Sequence, residues 1–277
     1  IYGLWGVPKM GGAGCGWASA IVMTSMMLIL LAYVLYAPHF AKTRLLQGEL
    51  KPALGLIWHI SKLGFPIGAA IFFEVSLFSC IAVLVSPLGE LVVAAHQVAL
   101  SVTSLLFMIP LSLAISMTIR TGQAYGRHDL AGVQRTRQVG LVTTTIIACL
   151  SATMIILCRE MITSIYTPHQ QVQQLAADLL LFAAAYQVFD ALQVGAAGCL
   201  RGIQNTRSPM IMTLIAYWMV ALPVGYGLAM FPLWHGQALG VYGFWFGLIT
   251  GLGVACVLLN WRLMVSLKRL TTRWAKH

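Results

Sequence analysis

Apolar residues in this chain are grouped in seven long runs that are separated by short polar segments. Each run has about 20 residues or more, which is the length that crosses the hydrocarbon core of a bilayer as an α-helix. Strands of a membrane barrel would be about ten residues long and would alternate in polarity. The pattern therefore predicts an all-α, polytopic transmembrane bundle. The predicted helices cover Gly11–Ala37, Leu63–Val85, Val93–Ile119, Val139–Leu157, Leu179–Leu200, Met210–Phe231 and Val241–Leu259.

The overall composition argues against a water-soluble fold. Of 277 residues, 59% are hydrophobic and only 9% are charged. Soluble domains usually carry about 25% charged residues. The length of the chain therefore reflects the number of membrane helices rather than the number of soluble domains.

The net charge of +10 comes from 17 Lys and Arg against 7 Asp and Glu. Such an excess is typical either of nucleic-acid binding or of the cytoplasmic face of a membrane protein. The basic residues lie between apolar runs, and 15 of the 17 follow the first, third, fifth or seventh predicted helix. Only Lys9 and Arg159 lie on the opposite side. The positive-inside rule therefore predicts an outside start and a cytoplasmic C-terminus, and we expect no nucleic-acid partner.

Two carboxylates fall near the middle of predicted spans. Glu74 is eleven residues from either end of its span, and Asp190 is near the centre of its own. An ionised group at that depth costs about 2.5 to 3.5 kcal/mol on insertion scales, and such residues usually mark ion or proton pathways. The alternative is that each is protonated and hydrogen-bonded to a neighbouring helix.

Three further side chains are candidates because of their positions. Tyr186 precedes Asp190 by one helical turn, so both side chains share a face and the phenol can offer an oxygen or a π-face to a cation. Gln97, near the start of the third helix, either lines a cavity or caps the helix. His96 beside it is either a proton carrier or a structural residue.

Gly and Pro positions predict how the helices pack. Gly243, Gly247 and Gly251 recur at every fourth residue and form a smooth face that another helix can approach closely. Pro110 and Pro223 fall inside predicted helices, where each removes a backbone hydrogen bond and favours a kink.

No phosphate-binding loop, nucleophile elbow or zinc-protease motif occurs in the sequence, so we expect neither an enzyme nor a cofactor.

Three segments resemble the C-terminal half of NorM-type transporters of the MATE (multidrug and toxic compound extrusion) family. They are GFPIGAAIFFE, which ends at Glu74, SPLGELVVAAHQVALSVTSLLFMIPLSLA from Ser86, and YQVFDALQVGAAGCLRGIQNTRSPM from Tyr186. The resemblance implies twelve helices in two six-helix lobes, of which this chain supplies seven. The chain begins at Ile1 rather than Met and has no signal peptide, so we expect it to be truncated upstream. The resemblance implies that the five missing helices of the N-lobe precede Ile1.

The resemblance also implies a domain organisation. Residues 1–37 would be an outer loop and the last N-lobe helix, 38–62 a cytoplasmic linker, 63–265 the six-helix C-lobe, and 266–277 a basic cytoplasmic tail. The linker is either an amphipathic helix on the inner leaflet or an ordinary loop.

The resemblance implies a cation-coupled efflux antiporter of the bacterial inner membrane. It assigns Glu74, Tyr186 and Asp190 to the coupling cation, either Na⁺ or H⁺, and it favours Na⁺. Gln97 is a weaker candidate for the drug-facing surface, and Phe107 stands where some relatives have a tyrosine near the drug. The expected partners are cationic amphipathic drugs, membrane lipids and the missing N-lobe.

Two other functions are consistent with seven membrane helices. A lipid-linked oligosaccharide flippase of the wider superfamily would carry cationic residues in its cavity, whereas no Lys or Arg lies at the middle of a predicted span. A seven-helix receptor would have the same orientation, but the two midspan acids argue against it. A retinal protein would need a lysine in the middle of the seventh helix, which the sequence lacks.

Overall fold

The computed structural model describes residues 11–36, 53–232 and 238–274, and every regular element in these ranges is helical. The all-α prediction is therefore confirmed for this part of the chain. Seven helical spans there are long and apolar enough to cross a membrane, as expected of a multi-pass membrane protein. The elements are α1 (Gly11–Tyr36), α2 (Leu54–Val85), α3 (Glu90–Gly126), α4 (Leu130–Tyr166), α5 (Gln170–Gly202), α6 (Arg207–Leu214), a π-helical segment (Ile215–Ala221), α7 (Leu222–Met230) and α8 (Val241–Trp274).

The chain divides into two compact units, Ile1–Ile57 and Trp58–His277. The long element of the first unit is α1, a 26-residue apolar helix that contains no charged residue. The second unit contains the helices from α2 to α8 apart from the first turn of α2. It is the unit that carries all the predicted site residues.

Several helices extend beyond their predicted ends. The helix α2 begins at Leu54 rather than Leu63, so the last part of the predicted linker is helical. Helix α8 continues to Trp274, so the predicted tail is helical through that residue. Residues 1–10, 37–52 and 275–277, which include the rest of the predicted linker and tail, lie outside the described residues. A run of apolar residues marks only the part of a helix that can lie in the hydrocarbon core. It therefore underestimates the length of a helix whose ends are polar.

Helix α5 lies at the centre of the second unit and packs against α3, α4 and α8. Twenty of its residues are buried, among them a run of small side chains from Gly195 to Gly198. A helix that is buried on most of its surface can carry polar side chains into the interior of the bundle. This placement brings Tyr186 and Asp190 away from lipid and into the core.

The sixth span is continuous from α6 to α7 but contains the π-helical segment in its middle. Pro223 lies in the first turn of α7, directly after this segment. Proline lacks an N–H and its ring clashes with the carbonyl one turn earlier, and a wider turn relieves both problems. Pro110 is buried within α3, which continues unbroken on both sides of it.

The glycine face predicted on α8 is a close helix contact. A Cβ added to Gly243 would overlap the backbone of Ala229 in α7, and one added to Gly247 would overlap the backbone of Gly225. A Cβ at Gly251 would meet Ala221 in the π-helical segment. The prediction of a packing role for this face is therefore confirmed.

The Gly247→Ala variant is expected to lower the free energy of unfolding by about 2 kcal/mol. The new methyl group would force apart two helix backbones that already touch. Thermal unfolding of the purified protein in detergent measures this loss. The matched control is Gly253→Ala on the same helix, where an added Cβ would have no neighbour within 4 Å. That control should leave stability unchanged or raise it slightly, since alanine favours helix by up to about 1 kcal/mol. Equal stability of the two variants would contradict the prediction.

Candidate cation site

Three helices line a cavity of about 300 Å³ in the second unit. Glu74 reaches it from α2, and Tyr186 and Asp190 reach it from α5. The structure therefore brings together the three residues that the sequence analysis assigned to a coupling cation. The other residues of the lining are Val75, Phe78, Ser79, Leu100, Thr103, Ser104, Phe107 and Met108.

The two carboxylates of the cavity have different surroundings. Glu74 is half-buried and has no side-chain hydrogen bond to any described residue. Asp190 is only 5% exposed, and its Oδ1 accepts a hydrogen bond of 3.2 Å from Nε2 of Gln193. Asp190 is thus held in place, whereas the oxygens of Glu74 are available to a ligand.

The charges around Glu74 also favour a bound cation. Asp190 and Arg201 both lie within electrostatic range of Glu74. Two carboxylates that share a buried site repel each other when both are ionised, and a cation or proton between them removes that repulsion. The single guanidinium of Arg201 offsets only part of the negative charge.

The Tyr186 phenol is buried and packs against an aromatic ring. Its side chain is 4% exposed, and Thr103 of α3 lines the same cavity. The indole ring of Trp245 packs against the phenol ring with the centroids 5.8 Å apart. A phenol oxygen and two carboxylates are the oxygen ligands that a hard cation such as Na⁺ prefers. The cavity has room for such an ion together with several water molecules, each of which takes about 30 Å³.

The two weaker candidates have different positions. Phe107 lines the cavity. Gln97 lies outside the lining and is exposed on α3, where its backbone carbonyl accepts a hydrogen bond of 2.8 Å from Ser101. A contact between Gln97 and a drug therefore remains a prediction. His96, in contrast, is buried and is not part of the cavity lining.

Sequence reasoning missed two polar neighbours of the site. Gln193 follows Asp190 by three residues, so helical periodicity alone indicates that the two side chains share a face. Thr103 precedes Phe107 by four residues, and the same rule would have placed it beside that residue. Neither side chain carries a charge, so neither was conspicuous in an apolar span.

Comparison with known proteins decides the family. The sequence model of the MatE family matches residues 66–227, which is more than half of the chain. The chain belongs to the MatE family. The matched region includes all three residues of the candidate cation site, so the cavity lies within the part of the chain that defines the MatE family.

Two bacterial relatives of this MatE chain are similar along nearly its whole length. It is 49% identical over 263 residues to the probable multidrug resistance protein NorM of Acinetobacter baylyi, covering 95% of this chain and 58% of that protein. It is 45% identical over 264 residues to the multidrug resistance protein NorM of Aliivibrio fischeri, covering 95% and 57% respectively. The chain thus spans less than two thirds of the length of these relatives.

Solved structures agree with the MatE fold. The crystal structure of MATE in complex with MaL6 superposes with a TM-score of 0.82 at 19% sequence identity. The superposition covers 95% of this chain and 58% of that one. At such low identity the likeness concerns the fold alone, and it confirms the helical arrangement predicted from the sequence.

Proposed function

We propose that this chain forms the cation-binding lobe of a multidrug efflux antiporter. The transporter would export cationic amphipathic drugs in exchange for Na⁺ or H⁺, and the resemblance noted above favours Na⁺. The main support is the cavity in which Glu74, Tyr186 and Asp190 meet within membrane-spanning helices. The names of the relatives, which are multidrug resistance proteins, support the drug side of the proposal.

Coupling would arise from competition for the same negative charge. A cationic drug and the coupling cation are both attracted to Glu74 and Asp190, which share one cavity. A ligand shifts a conformational equilibrium only by its difference in affinity for the two states. Cation binding in the outward-open state would therefore displace the drug, and release of the cation inside would free the carboxylates for the next drug.

The proposed transporter needs a second lobe. The chain spans 58% of the length of its Acinetobacter relative, and we infer that the remaining part supplies five more helices. The distribution of Lys and Arg favours a cytoplasmic C-terminus in a bacterial inner membrane. Lipids would then surround the exposed apolar faces, and the drug would bind between the two lobes.

A lipid-linked oligosaccharide flippase is a poorer fit to the cavity. Such a protein would use positive side chains to hold its anionic pyrophosphate substrate. The lining formed by the described residues contains two acids and neither Lys nor Arg. This charge suits a cationic substrate.

Ethidium efflux from proteoliposomes tests the proposed function. The complete polypeptide that carries this chain would be reconstituted, and efflux would be followed under a sodium gradient alone and then under a proton gradient alone. We expect one of the two gradients to drive efflux, which would also identify the coupling ion. Absence of efflux under both gradients would contradict the antiporter.

A further inference from the structure

Four buried side chains next to the cation site have polar atoms without a partner among the described residues. They are referred to below as the inner polar cluster. Both ring nitrogens of His96, both amide atoms of Gln187, the hydroxyl of Tyr217 and Nε1 of Trp245 lack a hydrogen bond. The residues are 2%, 0%, 1% and 0% exposed, in that order. They come from α3, α5, the π-helical segment and α8, and Tyr217 and Trp245 belong to the same group of packed core side chains as Tyr186.

Ring contacts connect the inner polar cluster to the cation site. The rings of His96 and Trp245 are nearly perpendicular with their centroids 5.8 Å apart, and Trp245 in turn packs against Tyr186. Gln187 follows Tyr186 directly in the sequence. Tyr217 lies within electrostatic range of both Glu74 and Asp190. The inner polar cluster therefore adjoins the cation site.

Unpaired polar atoms in this number are incompatible with a dry interior. Each buried donor or acceptor without a partner destabilises the fold, because it has lost its hydrogen bonds to water and gained none in return. Six of them together would cancel much of the small net stability of a folded domain. We therefore expect molecules bound between the helices to supply the partners of these atoms.

The mixture of donors and acceptors identifies water as the partner. The indole N–H of Trp245 can only donate, a neutral imidazole donates with one nitrogen and accepts with the other, and Tyr217 and Gln187 can do both. A metal ion would be repelled by the donors, whereas water satisfies both kinds of group. Buried waters typically make about three hydrogen bonds to such groups.

The position of the cluster suggests what the water does. His96 lies near the start of α3, and Trp245 lies near the start of α8. These are the helix ends that the distribution of Lys and Arg assigns to the outside. Asp190 lies near the middle of its apolar span, so His96 and Trp245 lie nearer the outer face than the carboxylates, whereas Tyr217 lies near the middle of the sixth span.

We propose that His96, Gln187, Tyr217 and Trp245 bind a group of buried water molecules through which the coupling cation exchanges between the outer aqueous phase and the Glu74–Tyr186–Asp190 site. This inference rests on the proposed antiport function for its transport role. The presence of the water does not depend on transport, and the two parts are tested separately.

Radiolytic hydroxyl-radical labelling with mass spectrometry tests for the water, because radicals formed from bound water modify the side chains beside it. The complete protein in lipid nanodiscs should show modification of Trp245 and Tyr217 severalfold above that of Phe244, after correction for the intrinsic reactivity of each side chain. Phe244 is the matched control, since it is as buried as its neighbour Trp245 but has no polar atom. Labelling of Trp245 and Tyr217 no higher than that of Phe244 would overturn the proposal, whether or not the protein transports drugs.

Conservative substitutions test the route. Tyr217→Phe and Trp245→Phe each remove one polar group and keep an aromatic ring, so both variants should fold. We expect the double variant to lose its water-dependent labelling at His96 and to show severalfold slower cation-driven efflux at low cation concentration, with drug binding unchanged. The controls are Tyr226→Phe and Trp218→Phe, which alter side chains outside the cluster. Unchanged efflux in the double variant, in a parent that transports, would overturn the role as a route.

Discussion

The Asp190→Asn variant is expected to lose cation-driven drug efflux altogether. The substitution keeps the size of the side chain and one acceptor oxygen, but it removes the charge at the most deeply buried acid of the cavity. A cation that loses a buried, desolvated carboxylate should bind roughly a hundredfold more weakly, which corresponds to about 2.8 kcal/mol. Efflux of ethidium from proteoliposomes under the driving ion gradient measures the effect, and direct cation binding measures its cause.

The control for this experiment is Asp178→Asn on the same helix. Asp178 is exposed and accepts a hydrogen bond of 3.4 Å from the Tyr242 hydroxyl, so the same chemical change is made outside the cavity. That variant should transport at the parent rate, because Asp178 is not part of the cavity lining and its substitution leaves both cavity carboxylates in place. Full efflux by the Asp190→Asn variant would remove Asp190 from the coupling mechanism.

The Glu74→Gln variant is also expected to lose coupled efflux, but with a different effect on stability. Glu74 has no side-chain hydrogen bond to the described residues and shares its cavity with a second acid. Replacing it with a neutral amide removes both the repulsion between the acids and the cost of burying a charge. We therefore expect Glu74→Gln to unfold at the same or a higher temperature than the parent while its cation-driven ethidium efflux falls to background.

The control for Glu74 is Glu160→Gln in α4, where the side chain is exposed. It should change neither efflux nor thermal stability. Loss of both efflux and stability in the Glu74→Gln variant would indicate that Glu74 holds the helices together rather than binding the ion. Retention of efflux would exclude a coupling role.

The membrane helices could be predicted from the sequence because hydrocarbon imposes a minimum apolar length. Their ends could not be predicted in the same way. Beyond Leu259, α8 continues through Arg262 and Lys268, which are polar but still form helix. The early start of α2 at Leu54 has the same origin, since helix formation depends on backbone hydrogen bonds as well as on the lipid environment.

The candidate site was predictable where its members lie on one helix. Tyr186 and Asp190 are one turn apart, so their shared face follows from helical geometry. The approach of Glu74 from another helix required either a known family or the packed structure. The contact of Tyr186 with Trp245 lies beyond any local pattern, because the two residues are about sixty positions apart in the sequence.

The length of the helices has a further consequence for how this protein sits in a bilayer. Helix α8 has 34 residues and is therefore about 51 Å long, whereas the hydrocarbon core measures about 30 Å. Part of α8 must then extend beyond the hydrocarbon core. The basic residues of its C-terminal part, including Arg262, Lys268 and Arg273, belong to one continuous helix. The distances between these charges along the helix axis are consequently set by the helical rise, so the positive groups keep a fixed spacing from one another.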